Sequence, residues 1–417
     1  MNPIILDTEV VIIGAGPAGA GTSIFLTKAG IPHIIIDKET FPRDKVCGDG
    51  CSGKTSLVLR RANPEWLKEI KNHTASFLQS HGIMFFAPNG NAIHIPITPK
   101  GQTNEDARVF TATRLVFDNF LFSKLPSSYC SIYQSASVKS IERNVNGVKV
   151  EFVKEGQLYE INTSLIVGAD GDKGIVRKKF VNDDTSQKSY CVGLRAYYDN
   201  VSGLDTGNAL ELHFLPELLP GYFWIFPLPD GRANVGVGML SQVVRDKKIN
   251  LREAMLLALQ NPRLEGRFAN AELVDKIQGW GLPMAMEQMS ISGNNYLLTG
   301  DAASLIDPFT GEGIGNALYS GMVAALAIEK AIKEKNYSAS FLKMEYDDTL
   351  YKRMEDELRI SITLQRLCRY PWLFNFLVNK ARKSKSLQDT LNSMFTDIDM
   401  RKQLRKPSFY IKILFNR

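Results

Sequence analysis

The chain has 417 residues, 50 Lys and Arg against 44 Asp and Glu, and a hydrophobic share of 44%, which suits a globular protein of two or more lobes around a large core. The net charge of +6 is a property of the tail. Residues 371–417 hold ten Lys or Arg against three Asp, so the body is close to neutral and carries no basic groove for nucleic acid. Five cysteines, an odd number without paired spacing, argue against a disulfide framework, and the C-x-x-x-C of Cys47 and Cys51 in a chain with five histidines argues against a metal centre. No basic and apolar leader precedes the first apolar strand, so the expected location is cytoplasmic.

The stretch Glu9 to Gly19, EVVIIGAGPAG, opens the pattern of elements. Val10 to Ile13 reads as a buried parallel strand, and Gly14, Gly16 and Gly19 follow at G-x-G-x-x-G spacing. The first glycine permits the turn, the second lets backbone approach a pyrophosphate, and the third lets the helix pack against its strand. The helix N-terminus then favours the anion through unpaired N–H groups and its dipole. Residues 10–27 carry no charge, as a membrane span would, but five Gly or Pro interrupt them and the phosphate-loop reading accounts for each. A second strand, Ile34 to Ile36, ends at Asp37, 18 residues beyond Gly19, where an acid can bind a ribose hydroxyl.

Further along, residues 76–104 look strand-rich, with a turn at Pro88-Asn89-Gly90-Asn91. Leu165 to Val167 is another buried-strand pattern, running into Gly168-Ala169-Asp170-Gly171. LPGYFWIFPLPDGRANVGVGML predicts a hairpin: strand Tyr222 to Pro227, turn Pro229 to Arg232, return strand Ala233 to Met239. Alternation puts Tyr222, Trp224 and Phe226 on one face, and Asn234, Gly236 and Gly238 on one face of the return strand. Large aromatics beside a glycine floor describe a slot rather than a close-packed sheet, with an aromatic strand packing a core as the alternative. Tyr296 to Thr299 predicts a strand ending in Gly300-Asp301, where a carboxylate can accept from a polyol hydroxyl. Gly311, Gly313 and Gly315 then mark a helix start whose N–H groups can face a flavin pyrimidine edge. Residues 323–334 and 340–368 read as helices. The basic tail, interleaved with Trp372, Phe374, Phe376, Phe409, Tyr410 and Phe415, reads either as a face for anionic lipid headgroups or an apolar ligand, or as a solvated helical cap on the core.

These motifs, in this order, resemble flavoproteins of the aromatic-hydroxylase class and, within it, the geranylgeranyl reductase family, over residues 9 to about 335. The implied fold is α/β: a Rossmann-type FAD-binding domain built discontinuously from residues 1–75, 105–185 and 286–335, an inserted antiparallel-sheet substrate domain from 76–104 and 186–285, and a C-terminal helical region from 336–417. By the resemblance Gly14, Gly16, Ala18, Gly19, Asp37 and Lys38 hold the ADP half of FAD, Asp170-Gly171 is the middle motif, and Arg114, Ala136 and Val138 contact the cofactor. Gly300, Asp301, Gly311, Gly313 and Ile314 match the ribityl and ring contacts. FPRDKVCGDGCSG is similar to the family's R-x-K-x-C-G loop through Arg43, Lys45, Cys47 and Gly48; it runs beside the flavin with Cys47 toward the substrate, and Gly48 and Gly50 leave room there. The hairpin resembles the family's Y-x-W-x-F-P and V-G-x-G, with Tyr222, Trp224, Phe226, Gly236 and Gly238 bordering a tunnel for a prenyl chain.

The resemblance implies a reductase that saturates C=C bonds of a prenyl lipid or isoprenoid side chain with hydride from reduced FAD. A single dinucleotide pattern means that electrons arrive from transiently docked NAD(P)H or another carrier. Cys47, Tyr222 and cavity water are the candidate proton donors, with Cys47, Tyr222 and Trp224 as catalytic candidates. Two alternatives stay open: a flavin-dependent monooxygenase or halogenase on the same scaffold, whose W-x-W-x-I-P pattern is only partly met at Tyr222, Trp224 and Phe226, and a prenyl-binding protein without catalysis. The tail implies peripheral membrane contact.

Overall fold

The computed structural model describes residues 2–97, 109–145, 147–181, 189–384 and 388. The tail aromatics Phe409, Tyr410 and Phe415, and the ends of the strand-rich stretches near 98–108 and 182–188, lie outside the described residues.

The chain begins as a strand–helix–strand unit: β1 (Ile4–Ile13), α1 (Pro17–Lys28) and β2 (His33–Ile36). Val10 to Ile12 and His33 to Ile36 are buried on both faces, as continuous apolar runs in a covered parallel sheet must be. There follow α2 (Gly53–Ala62), the hairpin β3 (Gly82–Phe86) and β4 (Ala92–Pro96), α3 (Arg114–Phe122) and β5 (Cys130–Tyr133). A meander of β6 (Ala136–Asn144), β7 (Gly147–Lys154) and β8 (Gln157–Gly168) leads into β9 (Tyr190–Asp199), β10 (Leu210–His213), β11 (Tyr222–Pro227), β12 (Ala233–Leu240) and β13 (Gln278–Pro283). The chain returns through β14 (Tyr296–Leu298) to α4 (Ile314–Glu334), α5 (Asp348–Leu367) and α6 (Pro371–Lys383).

Two sheets organise these elements. In the first, β14, β8, β1, β2 and β5 lie side by side in parallel, with β7 and β6 added antiparallel beyond β8. β1 is central, and α1 and α4 pack together over it. Their close approach rests on small residues: a Cβ at Gly21 would stand 2.9 Å from the Leu318 carbonyl, and one at Gly321 2.4 Å from that of Ala18. The second sheet runs β13, β9, β12, β11, β10, β3, β4, antiparallel except for the β10–β3 pair. It draws its strands from two separate stretches, because β3 and β4 enter from far upstream.

The helical stretch predicted over 340–368 forms as a short helix (Ala339–Leu342), a π-helical turn (Lys343–Asp347) and α5. On α6, Phe374, Val378 and Ala381 are buried against the second sheet, while Trp372 is 70% exposed. Phe374 meets Phe214 with ring centroids 4.6 Å apart, and Phe214 stacks on Phe309 at 5.6 Å, so α6 closes the apolar end of that sheet. Among the described residues, no helix is long and apolar enough to cross a membrane.

Candidate active site

A single cavity of about 870 Å³ runs from the β1–α1 turn to the face of the second sheet. Its polar end is built from backbone. Gly14 has φ +100°, and a Cβ there would stand 2.4 Å from the Ala169 carbonyl oxygen, so no other residue fits. Gly16 begins α1; no side chain caps that helix and no acid lies in its first turn, which leaves its N–H groups for an anion. Gly19 lies off the cavity and packs against the turn, where a Cβ would meet the Gly14 carbonyl oxygen at 1.8 Å.

Asp37 ends β2, and its carboxylate accepts from the Ala15 N–H at 2.7 Å and the Glu39 N–H at 2.8 Å, which ties the phosphate turn to the strand end. Lys38, Ala136 and Val138 line the same end, with Asp170 and Gly171 beside them. Asp170 accepts from the Val176 N–H at 3.1 Å through Oδ2, while its Oδ1 is buried with no partner, and burial raises its pKa to about 6. An uncapped helix start, a glycine cradle and an orphaned carboxylate oxygen together fit a dinucleotide with ribose hydroxyls.

In the middle of the cavity Asp301 pairs with Lys45 at 2.9 Å, and Gly311, Gly313 and Ile314 bring the start of α4 to the wall. Gly300 sits behind: a Cβ there would stand 2.9 Å from that of Ala18, so its function is to let α1 meet α4. Arg43 and Arg114 converge on one carboxylate that motif reasoning missed. Asp118 accepts from Arg114 Nε and Nη2, each at 2.7 Å, and from Arg43 Nη1 at 2.5 Å. Burial opposes its charge, but the two guanidiniums prevail and hold the Asp118 carboxyl below its ordinary range. The Arg114–Asp118 spacing of four residues within a mostly apolar helix was the available signal.

The loop carrying Cys47 is locked from the second sheet. Asp49, at φ +64°, is wholly buried; its carboxylate accepts from Tyr197 Oη at 2.7 Å, Asn234 Nδ2 at 2.8 Å and the Arg114 N–H at 3.2 Å. Burial nevertheless pushes Asp49 up to about 6. Asn234 also donates to the Cys47 carbonyl at 2.8 Å and accepts from Trp224 Nε1 at 2.9 Å. Burial raises the Cys47 thiol, which therefore stays protonated. The polar residue that interrupts A-N-V-G-V-G was the sequence signal for this network.

The apolar end is walled by Tyr222, Trp224 and Phe226 of β11, with Ile83, Leu210 and Leu212 beside them. Phe226 covers the loop glycines: a Cβ at Gly48 or Gly50 would stand 3.4 or 3.3 Å from its Cε2, so the room left by those residues is taken by this ring. Gly236 and Gly238 lie off the cavity, beneath Trp224. Tyr222 donates to the Thr310 carbonyl at 2.6 Å, and burial raises its pKa. Glu312, also missed because its flanking glycines were read for their backbone, faces the cavity and accepts from the Gly315 N–H at 2.7 Å.

A Rossmann-type sheet with a glycine cradle, opening onto an aromatic-lined sheet from the same chain, defines a flavin-dependent oxidoreductase. The FAD binding domain family matches residues 7–343. A digeranylgeranylglycerophospholipid reductase of Methanosarcina acetivorans is 30% identical over 370 residues, covering 86% of this chain and 84% of the relative. A menaquinone reductase of Mycobacterium tuberculosis is 28% identical, covering 76% of each. In fold, the chain is similar to a geranylgeranyl bacteriochlorophyll reductase-like protein from Thermoplasma acidophilum, with a TM-score of 0.78, 19% identity and coverage of 99% and 96%. A flavin-dependent brominase shares the fold at a TM-score of 0.75, 19% identity and coverage of 95% and 98%. The chain belongs to the geranylgeranyl reductase family of FAD-dependent oxidoreductases.

Proposed function

We propose that this protein saturates C=C bonds in the isoprenoid chain of a lipid or quinone, held in the apolar arm of the cavity. The observation that carries the reading is the continuity of one cavity from the dinucleotide cradle to the aromatic wall at Tyr222, Trp224 and Phe226. A long apolar chain there would be screened from water, in the same cavity as the dinucleotide cradle. The substrates named for the two relatives both carry such chains.

FAD, when bound, supplies the hydride, and NAD(P)H or another carrier recharges it from solution. The protein orients the chain, excludes water and, through Asn234 and Asp49, fixes the loop that carries Cys47. Peripheral contact with a membrane, through the exposed aromatics of α6, is the proposed route by which so apolar a substrate arrives.

The test is anaerobic. Reduce the flavin with dithionite, add prenyl lipids and quinones, and follow flavin reoxidation with mass analysis of the lipid. A gain of two hydrogens per turnover is expected. Flavin that stays reduced until oxygen is admitted, followed by an oxygenated or halogenated product, would replace this reading with the monooxygenase one; a protein that binds the lipid without any turnover would replace it with the carrier one.

A further inference from the structure

Reducing an isolated alkene needs a proton as well as a hydride, and the two residues first considered for it are poorly placed to give one. The Tyr222 hydroxyl already donates its hydrogen to the Thr310 carbonyl at 2.6 Å, and burial holds both that phenol and the Cys47 thiol above their ordinary pKa. Glu312 stands between the start of α4, which faces the cofactor half of the cavity, and the aromatic wall. Its neighbours Gly311 and Gly313 offer no side chain to screen it, and Gly311 lies against Tyr222, where a Cβ would stand 2.8 Å from the hydroxyl oxygen.

We propose that Glu312 is the acid that protonates the alkene, a role that rests on the ene-reductase reading. The Glu312 O–H bond breaks as the π pair of the alkene forms a C–H bond at one carbon; the other carbon receives hydride from reduced FAD, which is thereby oxidised by two electrons. The carboxylate left behind takes a proton from water once the product has gone.

The surroundings of Glu312 suit this task. Burial raises its pKa to about 7, against the pull of Lys54, Ser52 and the Gly315 N–H, with Glu357 pushing it further up. Lys54 would suppress a neutral carboxyl if its charge were free, but it is buried and committed to Glu357 at 2.8 and 2.9 Å, and to Asn316. Cys51 and Tyr222, the other titratable groups within electrostatic reach, stay neutral because burial raises both. An acid with a pKa near the working pH is half loaded there and readily reloaded, which is the condition for efficient proton transfer.

Glu312→Gln is the decisive variant, with three readouts. FAD affinity and the flavin spectrum should stay within about twofold of wild type, while single-turnover reoxidation by the alkene falls about 10²–10⁴-fold. Carboxyl infrared difference spectra of the FAD-loaded protein, recorded without substrate, should show a neutral acid titrating near pH 7, above Asp49 and Asp170 near 6, and that band should be missing in the variant. Turnover within about threefold of wild type, or a band near pH 7 that is the same in wild type and variant, overturns the proposal. Should the variant lose FAD, the wild-type protein decides: its single-turnover rate should fall as pH rises through about 7, and a flat profile overturns the role. If no lipid reoxidises the wild-type flavin, the ene-reductase reading fails, while the infrared titration still reports whether Glu312 holds a proton.

Discussion

Trp224 and Gly236 are cross-strand partners, and the indole occupies the space that any side chain at 236 would need: a Cβ there would stand 2.2 Å from Cζ2 of the ring. The indole is held in that place by its 2.9 Å bond to Asn234, two residues along the same strand. The aromatic wall of the cavity is therefore fixed by the strand behind it.

A pair of matched variants tests this. Gly236→Ala should displace the indole or strain the strand, costing about 1–3 kcal/mol, as overpacking of a filled core does. Gly238→Ala meets nothing closer than 3.8 Å and should stay within about 0.5 kcal/mol of wild type. Urea unfolding of both, with tryptophan fluorescence as reporter, separates them, and equal stabilities would refute the arrangement.

Asp118→Asn should be among the most damaging single-atom exchanges in the FAD-binding half. It leaves Arg114, whose side chain is 4% exposed, and Arg43 without the carboxylate both of them share. Removing one partner of a buried ion pair costs about 3–5 kcal/mol. The expected result is an unfolding midpoint shifted by that amount together with poor retention of FAD on gel filtration. Unchanged stability would mean that the two guanidiniums find other acceptors.

Much of the nucleotide end was legible because its chemistry is carried by backbone. A glycine needed at a tight turn leaves a mark at a fixed spacing, and Gly14, Gly16 and Asp37 could be read in that way. The aromatic hairpin was legible from its alternation, including the turn at Pro229. What remained hidden depends on contacts between distant segments. Gly236 and Gly238 were read as the floor of a slot, yet alternation gives the face of a residue and not what fills the space above it, which here is Trp224 itself. Asp49 lies between Gly48 and Gly50 with nothing local to mark it, and only the approach of β9 and β12 gives it Tyr197 and Asn234 as partners. Asp118 and Glu312 belong to the same class, since a charged residue declares its burial only once the fold surrounds it.

The Asp49 network should leave a pH signature of definite sign. Its folded pKa of about 6 lies above the 3.8 of an unperturbed carboxyl, so the folded protein binds the proton more readily. The associated stability is fully present below about pH 4 and is lost as pH rises through about 6, a swing of roughly 3 kcal/mol. Asp49→Asn preserves the shape and tolerates the positive φ, and it cannot titrate. Relative to wild type, the variant should gain by roughly that amount between pH 4 and pH 7. A stability difference that does not change with pH would show that Asp49 stays ionised throughout, held so by Tyr197, Asn234 and Arg114.

The proposed membrane contact is tested at α6, which uses its two sides differently. Phe374 and Val378 pack inward over the apolar end of the second sheet, whereas Tyr370, Trp372 and Phe376 stand 56%, 70% and 40% exposed at the opposite surface. Lys380, Arg382 and Lys383 follow in the last turn, and the first turn holds no acid. Aromatic and basic side chains arranged in this way seat a helix at the headgroup level of an anionic bilayer. The combined change Trp372→Ala and Phe376→Ala removes only exposed side chains, so the folded protein and its FAD should persist. Flotation with vesicles containing anionic lipid should then fall by roughly tenfold, and wild-type binding should weaken with added salt as the charges are screened. Because α6 packs on the same apolar cluster as Trp224 of the cavity wall, the variant should also turn over vesicle-borne lipid more slowly than the same lipid in detergent. Equal flotation of variant and wild type would remove α6 from the contact and leave these aromatics as part of a solvated cap.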